Sequence, residues 1–233
     1  MKLKSLILVV FIFGLISCGV KEVKEADLTT DKAKASYAIG QNVGSSFKQQ
    51  QLTTDDIELN AFNQGVADAL KDTSVVEQAD LQQALMAFQK EMTAKAEERK
   101  NAASELNKKE GETFLAENKT KEDVQVTESG LQYKVITEGT GASPKSTDKV
   151  TVNYEGKLIS GKVFDSSYER GEPTSFGVNQ VIPGWTEGLQ LMKEGSTFEF
   201  FIPSNLAYGE RGAGGNIGPD ATLIFKVELI KVN

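Results

Sequence analysis

The stretch that decides the fold runs from Leu223 to Val232 and reads LIFKVELIKV. Apolar side chains occupy every second position from Leu223 to Leu229, and Lys226 and Glu228 lie between them. Because successive side chains of a strand point to opposite faces of a sheet, this alternation predicts a strand with one buried face. The charged residues on the other face indicate an antiparallel sheet that covers a core with one side only.

Two stretches upstream of this strand have the same two-residue period. Valine and tyrosine alternate with polar residues over 150–154, and phenylalanine or isoleucine recurs at every second position over 198–202. A single short helix is predicted between them, from Pro183 to Leu191, because proline is favoured in the first turn of a helix. One helix among antiparallel strands predicts an α+β domain, which we assign to residues 119–233.

The sequence before this domain has apolar residues at helical spacing. They recur four apart from Ala35 to Phe47 and again with a helical period from Phe62 to Leu70. A third helix without proline is predicted from Asp80 to Asn118. Its segment Lys95 to Lys109 is charged almost all round, which is typical of a stalk that crosses solvent.

These helices form the predicted N-terminal domain, residues 31–118. Two short helices and one apolar stripe bury too little apolar surface for a stable domain on their own. The pattern therefore favours an all-α dimerisation domain, a homodimer formed through these helices, and a long linking helix that follows it. An ordinary helical subdomain is the alternative.

The first residues of the chain are typical of an export signal. The apolar run Leu6–Ile16 follows two lysines and is too short to span a membrane as a helix. The sequence Leu15-Ile16-Ser17-Cys18 resembles the lipobox of bacterial lipoproteins, in which the cysteine is acylated and becomes the mature N-terminus. We therefore predict a signal peptide over 1–17, lipidation at Cys18 and a flexible polar tether over 18–30. The alternative is a short membrane anchor with an incidental cysteine.

Composition excludes several classes of enzyme. The chain contains no histidine and one cysteine, so it cannot assemble a Ser-His-Asp triad, a Cys-His dyad or an internal disulfide. No metal site and no cofactor is predicted. The formal net charge of −7 argues against nucleic acid as the main partner.

Five short stretches within residues 119–233 carry a family resemblance. They are Val152-Asn153-Tyr154-Glu155-Gly156, Phe164-Asp165-Ser166-Ser167, Val181-Ile182-Pro183-Gly184-Trp185, Leu206-Ala207-Tyr208-Gly209 and Ala221-Thr222-Leu223-Ile224-Phe225. Their order and spacing resemble an FKBP-type peptidyl-prolyl cis-trans isomerase domain. The upstream region is similar to the Mip and FkpA branch of that family, whose helical N-terminal domain forms a dimer.

The resemblance implies an antiparallel half β-barrel wrapped on a short helix, with an aromatic pocket for the X-Pro amide. On the matching positions of this sequence, the implied catalytic residues are Tyr154, Phe164, Asp165 and Tyr208. The implied substrate-binding residues are Val181, Ile182, Trp185, Ile217 and Phe225, with Trp185 as the floor. The implied partners are unfolded or proline-containing polypeptides and FK506-like macrolides.

Three positions depart from the family pattern. Thr174 stands where many members have an aromatic residue, so one pocket wall is expected to be smaller. Asn216 and Gly218 stand where an apolar residue and a proline are common, which leaves Ile217 as the main apolar contact of this loop. These changes bear on macrolide binding more than on isomerase activity.

Other interpretations of single residues stay open at this point. Aromatic residues on strands are usually core, and we assign the phenylalanines of 198–201 to it. Asp165 is predicted to orient Tyr154, to face the substrate carbonyl or to cap a turn. The glycine-rich run 209–218 lacks the Gly-Lys-Ser/Thr ending of a phosphate loop and is predicted to be a flap over the pocket.

The predicted function is the acceleration of X-Pro isomerisation in folding proteins outside the cytoplasmic membrane. The predicted location is the periplasmic side of the cell envelope, as an exported lipoprotein. Gly19 after the cysteine replaces the aspartate that retains some lipoproteins in the inner membrane, which favours the outer membrane. The alternatives are a non-catalytic holdase or scaffold and a virulence or adhesion lipoprotein.

Overall fold

The computed structural model describes residues 26–233. The predicted signal peptide, Cys18 and most of the predicted tether lie outside the described residues. In chain order the elements are α1 (Asp31–Gln49), α2 (Leu59–Ala69), α3 (Gln78–Asn118), β1 (Val124–Val126), β2 (Gln132–Thr137), β3 (Lys149–Leu158), β4 (Val163–Ser166), α4 (Ser167–Arg170), β5 (Thr174–Gly177), α5 (Pro183–Leu191), β6 (Thr197–Ile202) and β7 (Leu223–Val232).

The chain divides into two compact units between Ala84 and Leu85, inside α3. The sequence places the domain boundary at 118/119 instead, at the point where this helix ends. The two boundaries differ because the last turns of α3 pack against the strands that follow, so that residues 85–118 group with the sheet.

The first unit contains α1 and α2, as the helical spacing predicts. Thr30 caps α1, because its hydroxyl oxygen accepts a hydrogen bond from the backbone N–H of Ala33 at 3.1 Å. The rings of Phe47 and Phe62 join the two helices edge to face, with centroids 5.7 Å apart. No residue of either helix is buried within the described chain. Their apolar faces are therefore uncovered in a single copy.

The second unit is built on a seven-stranded antiparallel sheet. Its strand order is β1-β2-β6-β7-β3-β4, and β5 pairs with the other end of β3. The sheet is open, and α5 packs on its inner face, where Leu189 and Phe200 have no exposed surface. This confirms the predicted α+β class and the half-barrel wrapped on a short helix. The inward positions predicted on β3 and β7, from Val150 to Tyr154 and from Leu223 to Leu229, are buried.

The outer face of the sheet is also covered, at one end, by α3. Phe201 and Ile224 are register partners on β6 and β7 that point away from the inner core, yet they are only 6% and 7% exposed. Phe114 of α3 lies over Phe201, with ring centroids 5.9 Å apart. The prediction that Lys95 to Lys109 form a stalk that crosses solvent is therefore wrong for the last turns of this segment. The contact with the sheet domain begins at Ser104.

The end of α3 is fixed by a buried amide pair. The Asn118 side chain donates from Nδ2 to Gln132 Oε1 at 3.0 Å, and its Oδ1 accepts from Lys121 Nζ at 2.9 Å. Gln132 in turn donates from Nε2 to the carbonyl of Leu115, one of the helix's last acceptors, at 2.9 Å. These bonds satisfy polar groups that would be costly to bury unpaired, and they fix where the helix stops.

Gly111 provides a test of this docking. Alanine normally stabilises a helix interior by about 1 kcal/mol relative to glycine. At this position a Cβ would lie 2.3 Å from Thr222 Oγ1, on the first residues leading into β7. We expect Gly111→Ala to lower the free energy of unfolding by roughly 1–3 kcal/mol, measured by urea unfolding with the fluorescence of Trp185.

The control for this prediction removes the clashing oxygen. In a Thr222→Ala background, Gly111→Ala should cost clearly less than in the natural chain, because the two substitutions act on one contact. A gain in stability from Gly111→Ala alone would contradict the docking of α3 on the sheet.

Candidate active site

An open cavity of about 560 Å³ lies between the inner face of the sheet and the start of α5. This size is within the range of about 300–1,000 Å³ that small-ligand sites have. The structure brings all nine predicted site residues into its lining: Tyr154, Phe164, Asp165, Val181, Ile182, Trp185, Tyr208, Ile217 and Phe225.

Five further lining residues are not among the nine predicted site residues: Phe176, Gln180, Ala213, Gly214 and Asn216. Phe176 had a usable signal, since it lies two positions after Thr174 on a short strand and so shares its face. Ala213 and Gly214 lie in the run 209–218 that is predicted to be a flap over the pocket, but the sequence does not show which positions of this run face the cavity. Their place depends on the path of the loop alone.

The floor of the cavity is aromatic. The ring of Trp185 meets Tyr154 and Phe225 with centroids 5.2 Å away in each case, at angles of 89° and 81°. Phe176 lies 5.7 Å from the same ring at 86°. Edge-to-face contacts of this kind add to the area that the rings bury. They hold the indole in one orientation.

The indole nitrogen does not face the cavity. Among the described residues, Trp185 Nε1 is the buried side-chain nitrogen or oxygen without a hydrogen-bond partner. Because this atom has essentially no accessible surface, the cavity contacts the carbon part of the ring. A ligand on the floor therefore meets an apolar surface.

A polar corner stands beside this floor. The Tyr154 hydroxyl donates to Asp165 Oδ2 at 2.5 Å and accepts from Arg170 Nη2 at 2.9 Å. Arg170 also forms an ion pair with Asp165, and its guanidinium lies 5.4 Å from the centre of the Tyr154 ring. Of the three predicted roles for Asp165, the geometry shows the first, the orientation of Tyr154.

Turn capping belongs to the next residue. Ser166 is the N-cap of α4, and its hydroxyl oxygen accepts from the backbone N–H of Glu169 at 3.3 Å. This single helical turn ends at Gly171, which has φ +78°. The turn carries Arg170 back over the Tyr154 ring, so the local fold of 166–171 builds the polar corner.

Tyr208 supplies the free hydroxyl of the site. It is 40% exposed, and its hydroxyl has no hydrogen-bond partner among the described residues. Burial of the ring raises the pKa of Tyr208, and the negative charge of Asp165 raises it further. The phenol is therefore protonated at neutral pH and can donate a hydrogen bond to a ligand oxygen.

Comparison with known proteins agrees with this geometry. The family profile described as FKBP-type peptidyl-prolyl cis-trans isomerase matches residues 141–230, and the domain amino-terminal to FKBP-type peptidyl-prolyl isomerase matches residues 32–135. The outer membrane protein MIP of Legionella longbeachae is 47% identical over 223 residues, 95% of this chain and 94% of that protein. The chain belongs to the FKBP-type peptidyl-prolyl cis-trans isomerase family.

Two further relatives support the same assignment. The peptidyl-prolyl cis-trans isomerase Mip of Coxiella burnetii is 42% identical over 232 residues, 99% of each chain. The crystal structure of FkpA from Escherichia coli has a TM-score of 0.70 and 37% identity, and the match covers 88% of this chain and 98% of that one. The predicted family and the predicted enzyme class, a peptidyl-prolyl cis-trans isomerase, are confirmed.

The structure gives each departure from the FKBP pattern a physical place. Thr174 accepts a hydrogen bond from Arg170 Nη2 at 3.3 Å, so the smaller wall still supports the polar corner. Asn216 lines the cavity, and its Oδ1 accepts from Lys162 Nζ at 3.3 Å. Gly218 does not line the cavity but faces α3, since a Cβ there would lie 3.0 Å from Asn107 Nδ2.

Tyr154 makes the stability of this FKBP domain sensitive to alkaline pH. Burial raises the pKa of its phenol above the ordinary value of 10.0, and the hydrogen bond to Asp165 raises it further. The unfolded chain releases this proton first, so the contribution of Tyr154 is complete below about pH 10 and is lost as pH rises through the folded pKa.

We therefore expect the free energy of unfolding to fall as pH rises above about 10, and to fall less steeply in Tyr154→Phe. Urea unfolding followed by Trp185 fluorescence at each pH measures both slopes. Equal slopes in the two proteins would show that the Tyr154 phenol does not contribute to the alkaline loss.

Proposed function

We propose that this isomerase catalyses rotation of X-Pro bonds in folding polypeptides, with Tyr154, Phe164, Asp165 and Tyr208 as its catalytic residues. The observation that carries the proposal is the unequal state of the two tyrosine hydroxyls. Tyr154 is held by Asp165 and Arg170, whereas Tyr208 has a free donor at the rim of an aromatic cavity.

Rotation of a prolyl amide needs neither a nucleophile nor a metal. The barrier of about 18–20 kcal/mol reflects the resonance of the C–N bond, which is lost when the amide twists. A twisted amide is less polar at its carbonyl than a planar one. An apolar cavity therefore favours the twisted form relative to the hydrated planar form, and each 1.4 kcal/mol or so of this preference is about tenfold in rate.

The lining residues divide this task by their chemistry. Trp185 supplies the floor for the proline ring, while Val181, Ile182 and Phe225 supply walls that exclude water. The Tyr208 hydroxyl donates to a substrate carbonyl and fixes the peptide in the cavity. The remaining residues close the site: Phe164 and Ile217 complete the apolar wall, and Asp165 with Arg170 holds Tyr154 in place.

Polypeptides with exposed proline are the proposed substrates, because the cavity is open and accepts a side group of a longer chain. An FK506-like macrolide would compete for the same apolar floor. A non-catalytic holdase that binds proline-containing segments is the second candidate. The free Tyr208 donor favours catalysis over passive binding, since it positions the amide rather than adding apolar area.

We also propose that the chain acts in the cell envelope as a lipoprotein acylated at Cys18. The support is the lipobox-like sequence that precedes this cysteine and the name of the Legionella longbeachae relative, an outer membrane protein. Within residues 26–233 no helix is long and apolar enough to cross a membrane. Incorporation of labelled fatty acid into the natural chain but not into Cys18→Ser tests this attachment.

The Tyr208 proposal is tested by removing one oxygen atom. We expect Tyr208→Phe to lower kcat/KM on a proline tetrapeptide about three- to tenfold, the range that one lost hydrogen bond gives. The matched control is Tyr168→Phe, which removes an exposed hydroxyl that lies outside the cavity and donates to Glu228 Oε2. Equal kcat/KM values for the two variants would remove Tyr208 from the catalytic residues. A natural chain that is folded but inactive would favour the holdase function instead.

We propose that α1, α2 and the start of α3 form a homodimer interface. The supporting observation is apolar surface that one chain leaves uncovered, such as Ile39 and Leu85, which are 65% and 67% exposed. An interface must bury such side chains to be stable. The homodimer gives each uncovered face a partner.

Substitutions on α3 distinguish a homodimer from a monomer. Leu85→Asp should shift the chain from dimer to monomer in sedimentation velocity, because it places a charge in the apolar interface. Gln83→Asp adds the same charge two positions earlier, on the opposite side of α3, and should leave the dimer intact. A natural chain that sediments as a monomer would contradict the proposal.

A further inference from the structure

The loop Gly209–Gly218, here called the flap, forms one wall of the cavity. It contributes Ala213, Gly214, Asn216 and Ile217 to the lining. Ala213 and Ile217 exchange backbone hydrogen bonds of 2.9 and 3.0 Å, which gives the flap a defined shape. Ile217 is only 8% exposed and belongs to the inner core, so the position of the flap decides the shape of the cavity.

The flap is closed at its base by Asp220. The backbone N–H of Asp220 donates to the carbonyl of Gly209 at 2.8 Å and so joins the two ends of the loop. Asp220 has φ +53°, a left-handed conformation that costs an L residue free energy and persists only where its surroundings hold it there. Its side chain is also buried, so its charge needs partners.

Both partners of the Asp220 carboxylate are supplied by α3. The Ser104 hydroxyl donates to Asp220 Oδ2 at 2.5 Å, and Lys108 Nζ lies 3.3 Å from the same oxygen. Ser104 and Lys108 are one helical turn apart and therefore lie on one face of the helix. The mostly charged sequence of α3 gives no indication that this face contacts the sheet domain.

A second contact fixes the residue before Asp220. Asn107, on the same face of α3, donates from Nδ2 to the carbonyl of Pro219 at 2.7 Å. The next residue back, Gly218, has no side chain to keep the Asn107 amide away, since a Cβ would lie 3.0 Å from that nitrogen. Two consecutive residues at the base of the flap, Pro219 and Asp220, are thus bonded to one face of α3, and Gly218 leaves room for this contact.

We infer that Ser104, Asn107 and Lys108 are positioning residues for the isomerase site, which fix the base of the flap and thereby the placement of Ile217 over the substrate. They touch neither the cavity nor a ligand in it. The inference rests on the proposed function, because it assigns the flap a part in substrate binding. Loss of these bonds leaves the floor and the polar corner intact and weakens the hold on the peptide.

The test compares two asparagines of the same helix in the full chain. Asn107→Ala removes the bond to the Pro219 carbonyl. Asn101→Ala changes an exposed residue six positions earlier that forms no side-chain hydrogen bond among the described residues. We expect Asn107→Ala to raise KM for a proline tetrapeptide about three- to tenfold with kcat changed less than about twofold. We expect Asn101→Ala to match the natural chain.

Hydrogen exchange supplies a readout that does not depend on activity. The amides of Ile217 and Asp220, whose bonds close the flap, should exchange roughly tenfold faster in Asn107→Ala than in Asn101→Ala. Faster exchange of these amides in Asn107→Ala together with an unchanged KM would overturn the positioning role. Equal exchange rates and equal KM values in the two variants would also overturn it. Failure of the proposed function would be recognised by a different result, a natural chain that is folded but has no isomerase activity.

Discussion

The packing of α5 against the inner face of the sheet is the interaction on which the second unit depends. Leu189 fills the core beside Phe200, and neither side chain has exposed surface. Trp185 lies one turn earlier on the same face of α5 and meets Phe225 of β7 at 5.2 Å. The helix therefore completes the core with one residue and begins the cavity with the other. The site cannot be reshaped at its floor without a cost to the fold.

The polar corner shows why a carboxylate is compatible with an apolar site. Asp165 and Arg170 are each 42% exposed at the side chain, so their ion pair stands at the rim, where water screens it and it adds little stability. Its effect is geometric, because it fixes the Tyr154 ring that forms part of the wall. The two charges are paired at the rim of the cavity, and the floor consists of aromatic side chains.

The strands and nine of the lining residues could be predicted because each leaves a direct signal in the sequence. Period-two alternation follows from the pleat of a strand, and eight of the nine residues stand in the stretches that resemble the family. Ile217 stands in the glycine-rich run between two of these stretches. The docking of α3 leaves no comparable signal, since Phe114 is joined on the contact face by Ser104, Asn107 and Gly111, which have no hydrophobic period. The sequence assigns Phe201 to the core and it is buried, but the sequence does not show which element covers it. It is out of phase with the inner core because α3, and not α5, covers it.

The part of the α3 contact at the base of the flap is polar, and this has a physical consequence for the site. An apolar interface tolerates sliding, because burial is not directional. Hydrogen bonds to the Pro219 carbonyl and the Asp220 carboxylate fix both distance and direction, and they hold a backbone conformation that the chain would otherwise leave. A short polar contact can therefore hold a glycine-rich loop more precisely than a larger apolar one. Residues remote from the cavity then share in the geometry of the pocket, although none of them meets the substrate.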